Sequence, residues 1–157
     1  MATTRITPDQ DAVISEIDIA APPERVFRAL VERAQAVQWG SNPQFQVIAW
    51  EMDPRPGGKW RFVSRELTGK HPLGSEFEHH GEVLEIDPPR LLAITWIASW
   101  HADQNHRTVV RWELTATADG THVKLTHSGL AQIPGACQGY SQGWPGLLQS
   151  LRAHCEK

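Results

Sequence analysis

The stretch Trp144-Pro-Gly-Leu-Leu-Gln-Ser-Leu-Arg-Ala-His-Cys155 decides the fold, because it has the apolar spacing of a long amphipathic helix. Apolar side chains recur along it at i, i+3, i+4 and i+7: Trp144, Leu147, Leu148 and Leu151. Cys155 continues this stripe, so the segment presents one apolar face. Pro145 must lie in the first turn or kink the helix, and Ser141 is a candidate for its N-terminal cap. We predict a long C-terminal helix.

Upstream of this helix, alternating apolar side chains predict strands separated by turns rich in proline and glycine. The predicted strands cover residues 12–20, 45–52, 59–65, 77–86, 91–100, 109–117 and 121–126. In the second of them, one face is predicted to carry Phe45, Val47 and Ala49. Pro22-Pro23-Glu24 is typical of a helix start, and residues 32–39 extend the helical region to Gly40. Because a sheet with one apolar face needs a cover, we predict an α+β fold in which a curved antiparallel sheet wraps round the C-terminal helix.

Composition limits the function. The chain has 157 residues, 40% of them hydrophobic, which suits one domain and leaves no room for a second core. Its 15 basic and 18 acidic residues give a net charge of -3, which excludes a strongly basic nucleic-acid surface. No apolar run approaches the ~20 residues of a membrane span, the first ten residues are too polar for a signal peptide, and two cysteines cannot form a disulfide framework. We expect a single domain over residues 1–157, with an ordered core over about residues 12–156, in the cytoplasm and without a nucleic-acid partner.

The chain has seven tryptophans, and their positions indicate what covers the concave face of the predicted sheet. A helix is ~10 Å across and strands are ~4.8 Å apart, so one helix cannot fill the concave face of six or seven twisted strands. Bulky side chains at alternating strand positions must fill the remaining space or line a cavity: Trp60, Phe62, Trp96, Trp100 and Trp112. Aromatic walls with few polar groups are typical of small-molecule pockets, whereas a solid aromatic core is the alternative. We predict a sizeable cavity between the sheet and the helix.

Five motifs occur in order along the chain: AAPPERVF at 20–27, RPGGKW at 55–60, GEVLEIDPPRL at 81–91, GTHVKLTHSG at 120–129, and Gly143-Trp144 with the leucines that follow. Together they resemble the START-like (SRPBCC) superfamily and, more narrowly, the branch named after the activator of the Hsp90 ATPase, over about residues 12–156. The resemblance implies the helix-grip fold, in the order β-α-α-β6-α (one strand, two helices, six strands, one helix).

On function, the same resemblance implies a carrier of apolar ligands such as lipids, hormones or polyketides, although some members of the superfamily are enzymes. The Hsp90-activating activity belongs to members with an additional domain, so we do not expect it here. The family supplies no invariant catalytic set, and we expect no cofactor.

Our first hypothesis is that the cavity binds an apolar or aromatic small molecule. The predicted ligand-binding residues are five wall residues and one histidine that follows the inward period of its strand: Trp60, Phe62, Trp96, Trp112, Trp144 and His127. As alternatives, an enzyme would use His127 or a nearby carboxylate as acid or base, and a protein-partner module would need an exposed apolar patch. Homodimerisation is a further possibility.

The other polar clusters favour structural interpretations. His101-Ala-Asp-Gln-Asn-His106 holds two imidazoles at i, i+5, a spacing that matches no zinc signature, so we predict a solvated loop and no metal site. Adjacent His79 and His80 point to opposite faces of a strand, so at most one faces the cavity. No serine has a visible base and orienting acid, and Cys155 on the apolar stripe is expected to be buried and inert.

Overall fold

The computed structural model describes residues 1–71 and 74–157. Its elements are, in chain order, β1 (Thr3–Ile6), β2 (Val13–Ile19), α1 (Pro23–Val31), α2 (Arg33–Trp39), β3 (Phe45–Met52), β4 (Lys59–Glu66), β5 (Glu76–Asp87), β6 (Leu91–Ala98), β7 (Thr108–Thr117), β8 (Gly120–Ser128) and α3 (Ala136–Cys155). The proline- and glycine-containing segment between the strands predicted over residues 59–65 and 77–86 includes positions 72 and 73, which lie outside the described residues.

All described strands pair antiparallel in one curved sheet with the order β1-β2-β8-β7-β6-β5-β4-β3. This sheet and α3 form the predicted α+β helix-grip fold. The sheet has eight strands rather than the predicted six to seven, because β1 pairs with β2 from Thr3 opposite Glu16 to Ile6 opposite Val13. The sequence of β1, Thr-Thr-Arg-Ile, lacks an apolar alternation, so nothing in its pattern indicates a strand.

The two short helices follow the predicted pattern and close one end of the sheet. Pro23 occupies the start of α1, where a missing N–H costs no hydrogen bond. Val26, Phe27 and Leu30 are buried on one side of α1. The Arg25 guanidinium donates to the main-chain oxygens of His154 and Cys155, both at 3.0 Å, and so ties α1 to the C-terminal turn of α3.

Helix α3 begins at Ala136, two turns before the predicted start. Gly135, with φ 77°, precedes it, and Ser141 is not the cap, because its hydroxyl donates to the Gln138 carbonyl within the helix. Pro145 accordingly lies inside the helix and not in its first turn. The apolar stripe continues backwards to Cys137, but the glycines of this segment hide its helical period in the sequence.

An irregularity in β3 changes which side chains face the interior. The register against β4 shifts between Val47 and Ala49, so that Val47 lies opposite Ser64 whereas Trp50 lies opposite Phe62. The shared face therefore carries Val47 and Trp50, and the prediction that Ala49 follows Val47 on that face is wrong. A bulge adds one residue to a strand and inverts the alternation beyond it, which no periodicity argument can detect.

The strands β5 and β6 approach each other closely beside Thr95. The Glu82 N–H donates to Thr95 Oγ1 at 2.8 Å, and the Thr95 main-chain oxygen accepts the indole N–H of Trp60, also at 2.8 Å. A Cβ atom at Gly81 would overlap this same main-chain oxygen. Position 81 therefore requires glycine because of the close backbone approach.

We predict that Gly81→Ala destabilises the protein by on the order of 2–3 kcal/mol, since the added methyl group forces the two strands apart. Gly143→Ala is the matched control, because a Cβ there meets open space on the exposed side of α3. It should leave the free energy of unfolding equal or higher by up to about 1 kcal/mol. Urea unfolding measures both changes, and equal stabilities of the two variants would contradict this account of Gly81.

Candidate functional site

The interior face of the sheet carries a layer of aromatic rings centred on Trp96, a residue of β6. The ring centroid of Trp96 lies 5.0 Å from that of Trp60, 5.9 Å from Phe62 and 5.3 Å from Trp144. Trp112 joins the layer edge-on, 6.0 Å from Trp144. The structure thus brings together, between the sheet and α3, the five aromatic residues that the sequence assigned to the wall.

Hydrogen bonds hold most of these indoles in place. Four indole N–H groups donate to a protein acceptor: Trp39 to Ala29 O (2.7 Å), Trp60 to Thr95 O (2.8 Å), Trp96 to Tyr140 Oη (3.2 Å) and Trp144 to His127 Nδ1 (3.1 Å). A buried N–H without an acceptor is costly, so each bond disfavours other ring positions. Three of the five wall rings, those of Trp60, Trp96 and Trp144, are therefore held in place by hydrogen bonds.

His127 supports this wall from behind. Its Nδ1 accepts from Trp144, so its Nε2 carries the proton and donates to Thr108 Oγ1 at 2.8 Å. The Thr108 hydroxyl in turn donates to the Trp96 main-chain oxygen at 2.7 Å. Burial, with His101 and His79 nearby, lowers the pKa of His127 well below its ordinary value. His127 is thus a neutral residue that positions Trp144, and it does not line the cavity described next.

A cavity of about 60 Å³ remains between the aromatic layer, the two short helices and α3. Trp60, Phe62, Trp96, Trp112 and Trp144 all line it, with further apolar side chains from α1, α2, β3, β6 and α3. Four lining side chains are partly exposed, namely Trp50, Met52, Phe62 and Leu147, and we call Trp50, Met52 and Leu147 the rim. The volume is about that of two water molecules, far below the ~300 Å³ of small ligand pockets.

The cavity is therefore smaller than predicted. Trp39, at the end of α2, and Trp50, turned inward beyond the irregularity in β3, occupy much of the space that strand periodicity left empty. The sequence placed Trp100 on the inner face of a strand, and the prediction that it lines the cavity is also wrong. The strand β6 ends at Ala98, and Trp100 packs against Tyr140 of α3 with ring centroids 5.4 Å apart.

The loop after β6 is only partly the solvated loop that was predicted. His101 is 3% exposed, accepts the Ala98 N–H at Nδ1 and donates from Nε2 to Tyr140 Oη at 2.9 Å. His106 bonds the Gly129 carbonyl at 2.7 Å, and the residues between the two histidines are exposed. Burial lowers the pKa of His101 and raises that of Tyr140. The partner of His101 lies on α3, so no loop pattern could indicate its burial.

His79 is the member of the His79–His80 pair that faces the interior. Its ring stacks on Phe62, with centroids 4.4 Å apart and an angle of 10° between the planes. Its Nδ1 is enclosed without a partner among the described residues. Burial, reinforced by the nearby His101 and His80, lowers the pKa of His79 to about 3. Within the described ranges, no three His, Cys, Asp or Glu side chains converge in a way that could hold a metal ion.

Residues 20–156 match the family model described as activator of Hsp90 ATPase homolog 1-like protein. The chain belongs to this family. In this Hsp90-ATPase-activator-like chain, two of the five motifs quoted from the sequence supply residues of the cavity lining, Trp60 and Trp144. No curated protein matches the chain. No described helix combines the length and the apolarity that crossing a membrane requires.

Solved structures of the same fold agree with the family. Protein CV1439 from Chromobacterium violaceum superposes with a TM-score of 0.79 at 23% identity, over 94% of this chain and 99% of that chain. Protein MLL2253 from Mesorhizobium loti gives 0.68 at 27% identity, over 91% of this chain and 95% of that chain. The AHSA1-like protein from Aeromonas hydrophila gives 0.73 at 16% identity, over 91% and 90% respectively. At these identities the similarity shows the helix-grip fold.

We predict that His79 makes stability depend on pH. An unfolded histidine takes up a proton near pH 6.5, whereas folded His79 stays neutral down to about pH 3. The stabilisation that results from the lowered pKa of His79 is therefore fully present above pH 6.5 and is lost as the pH falls towards 3. The free energy of unfolding should decrease on acidification with a slope from this group approaching ~1.4 kcal/mol per pH unit, and His79→Gln should reduce that slope.

His122→Gln is the control of opposite sign. Glu16 and Asp18 hold the His122 ring by hydrogen bonds and raise its pKa. Its stabilisation is therefore present below pH 6.5 and lost as the pH rises through the raised pKa. Replacing it should steepen the loss of stability on acidification, measured by urea unfolding between pH 4 and 8. Identical slopes for the His79 variant and the natural protein would show that folding leaves the pKa of His79 unchanged.

Proposed function

We propose that this protein binds a small, uncharged apolar or aromatic molecule in the cavity between the sheet and α3. The observation that carries the proposal is the cavity itself, whose lining residues include no titratable side chain. Burial of the ligand's apolar surface supplies the driving force, at ~25 cal/mol per Å² before ordering costs. The aromatic wall residues Trp60, Phe62, Trp96, Trp112 and Trp144 form the contact surface, and His127 acts through Trp144.

A molecule the size of one ring needs more room than the cavity offers. An apolar cavity of ~150 Å³ is known to hold benzene, whereas this one measures about 60 Å³. The deep wall is held by indole hydrogen bonds, so the space must come from the rim. Met52 and Leu147 are partly exposed, and such side chains change rotamer rapidly. Entry therefore proceeds past these residues, with the sheet unchanged.

The two alternative functions gain no support from the described residues. An acid–base enzyme would need His127 or a carboxylate at the cavity, but His127 does not line it, and the one buried acid among the described residues, Glu66, accepts hydrogen bonds from Thr68 and the Gly69 N–H beside β4. A partner module needs one contiguous apolar patch. The exposed large apolar residues among those described instead come from separate segments: Met1, Ile48, Leu67 and Leu84.

Two further proposals concern the state of the protein in the cell. The first is a cytoplasmic location, which the unpaired, buried thiols of Cys137 and Cys155 support. Burial raises the pKa of Cys155 to about 11, consistent with an inert thiol. The second is homodimerisation, for which β1 and β3 offer the two sheet edges where another strand can pair. Size-exclusion chromatography with light scattering tests it.

The ligand proposal predicts that naphthalene, titrated into the protein, changes the tryptophan fluorescence in a saturable way. Leu147→Ala should bind naphthalene more tightly, because it enlarges the cavity at the rim. Leu147→Trp should weaken binding at least ~10-fold, a loss of about 1.4 kcal/mol, because the indole fills the entrance.

Leu84→Trp is the matched control. It adds the same side chain at a position 45% exposed on β5 and outside the cavity lining, and should leave the affinity unchanged. The proposal fails if naphthalene binds neither the natural protein nor the Leu147→Ala variant, or if both tryptophan variants weaken it equally.

A further inference from the structure

Among the described rim residues, Trp50 carries the one polar side-chain group, an indole N–H, and this group has no hydrogen-bond partner in the fold. Trp50 lines the cavity, yet its Nε1 is enclosed and has no hydrogen-bond partner among the described residues. Buried donors are almost always paired, so an unpaired one needs an explanation. The other enclosed indoles at the cavity, those of Trp39, Trp60, Trp96 and Trp144, each have an acceptor.

The local backbone directs Trp50 to this position. The register shift between Val47 and Ala49 turns Trp50 to the interior face, where it lies opposite Phe62 with ring centroids 5.7 Å apart. Regular alternation would have placed Ala49 there and left the indole outside. The bulge therefore places a residue with an unpaired donor at the edge of the cavity, and bulges commonly redirect side chains beside binding sites.

We infer that the ligand of this cavity is a neutral aromatic molecule with a hydrogen-bond acceptor, such as an aryl ketone, whose oxygen accepts from Trp50 Nε1. The inference rests on the proposed function and narrows it to a ligand class. A charged group is excluded because no lining side chain can pair with it. Since Trp50 is itself a rim residue, displacement of the rim presents its N–H to the entering molecule, while the ligand ring packs against Phe62.

His79 is the competing partner for such an oxygen. Its enclosed Nδ1 is also unpaired, and its ring stacks on Phe62. However, His79 does not line the cavity, whereas Trp50 does. In addition, an indole nitrogen is always a donor, whereas the role of an imidazole nitrogen depends on the tautomer. The geometry therefore favours Trp50, and His79 becomes an outcome of the test.

The experiment compares acetophenone with α-methylstyrene, which has nearly the same shape but carries a methylene group in place of the carbonyl oxygen. Trp50→Phe keeps an aromatic ring and removes the N–H. We expect the ratio of the two affinities to shift about fivefold against acetophenone in this variant. The comparison of ratios cancels the different hydration of the two probes. Trp100→Phe, which removes an indole N–H outside the cavity lining, should leave the ratio unchanged.

A direct readout accompanies the affinities. In ¹⁵N-labelled protein, the Trp50 indole N–H resonance should move downfield with acetophenone and much less with α-methylstyrene. If both probes bind and Trp50→Phe leaves their ratio unchanged, the inference is wrong and the proposed function stands. If His79→Phe abolishes the preference and Trp50→Phe does not, His79 is the donor and the assignment to Trp50 is overturned. If neither probe nor naphthalene binds, the proposed function fails, and the inference with it.

Discussion

Four buried tryptophans, Trp39, Trp60, Trp96 and Trp144, each donate an indole N–H to a protein acceptor, and the positions of those acceptors determine where these four rings lie. Trp60 finds a main-chain oxygen that the close approach at Gly81 leaves accessible, whereas Trp144 depends on the neutral ring of His127. Trp96 bonds Tyr140 of α3 and so connects the sheet to the helix that it grips. Because of these hydrogen bonds, the wall presents apolar ring surface to the cavity, while its polar groups are paired on the side away from the cavity.

This arrangement explains why the cavity is small and where it can open. Indoles held from behind do not move aside, so the interior is filled down to about 60 Å³. The rim lacks such anchors, because Met52 and Leu147 are held by packing alone and Trp50 has no acceptor. A rigid wall with an adaptable entrance favours small, flat ligands over long-chain ones. The buried histidines behind the wall remain uncharged, which preserves the low polarity on which such binding depends.

Much of this fold was predictable from the sequence, because its periodicities are strong. The strand Phe45–Met52 and the start of α1 at Pro23 follow from alternation and from proline placement. Short polar β1 and the glycine-containing first turns of α3 carry no such signal. The five wall aromatics were found by period, whereas Trp50 was missed because a bulge inverts the alternation before it. The burial of His101 depends on Tyr140, a contact between distant parts of the chain that only the folded structure reveals.

The central claim is that an apolar cavity exists behind a movable rim and in front of a fixed indole wall. Xenon enters dry apolar cavities and scatters strongly, so diffraction from crystals pressurised with xenon tests this claim most directly. We expect one principal xenon peak between Trp60, Trp112 and Trp144, with the rim side chains displaced and the wall rings unmoved. A solid aromatic interior without such a peak, or a peak accompanied by movement of the wall rings, would contradict the account.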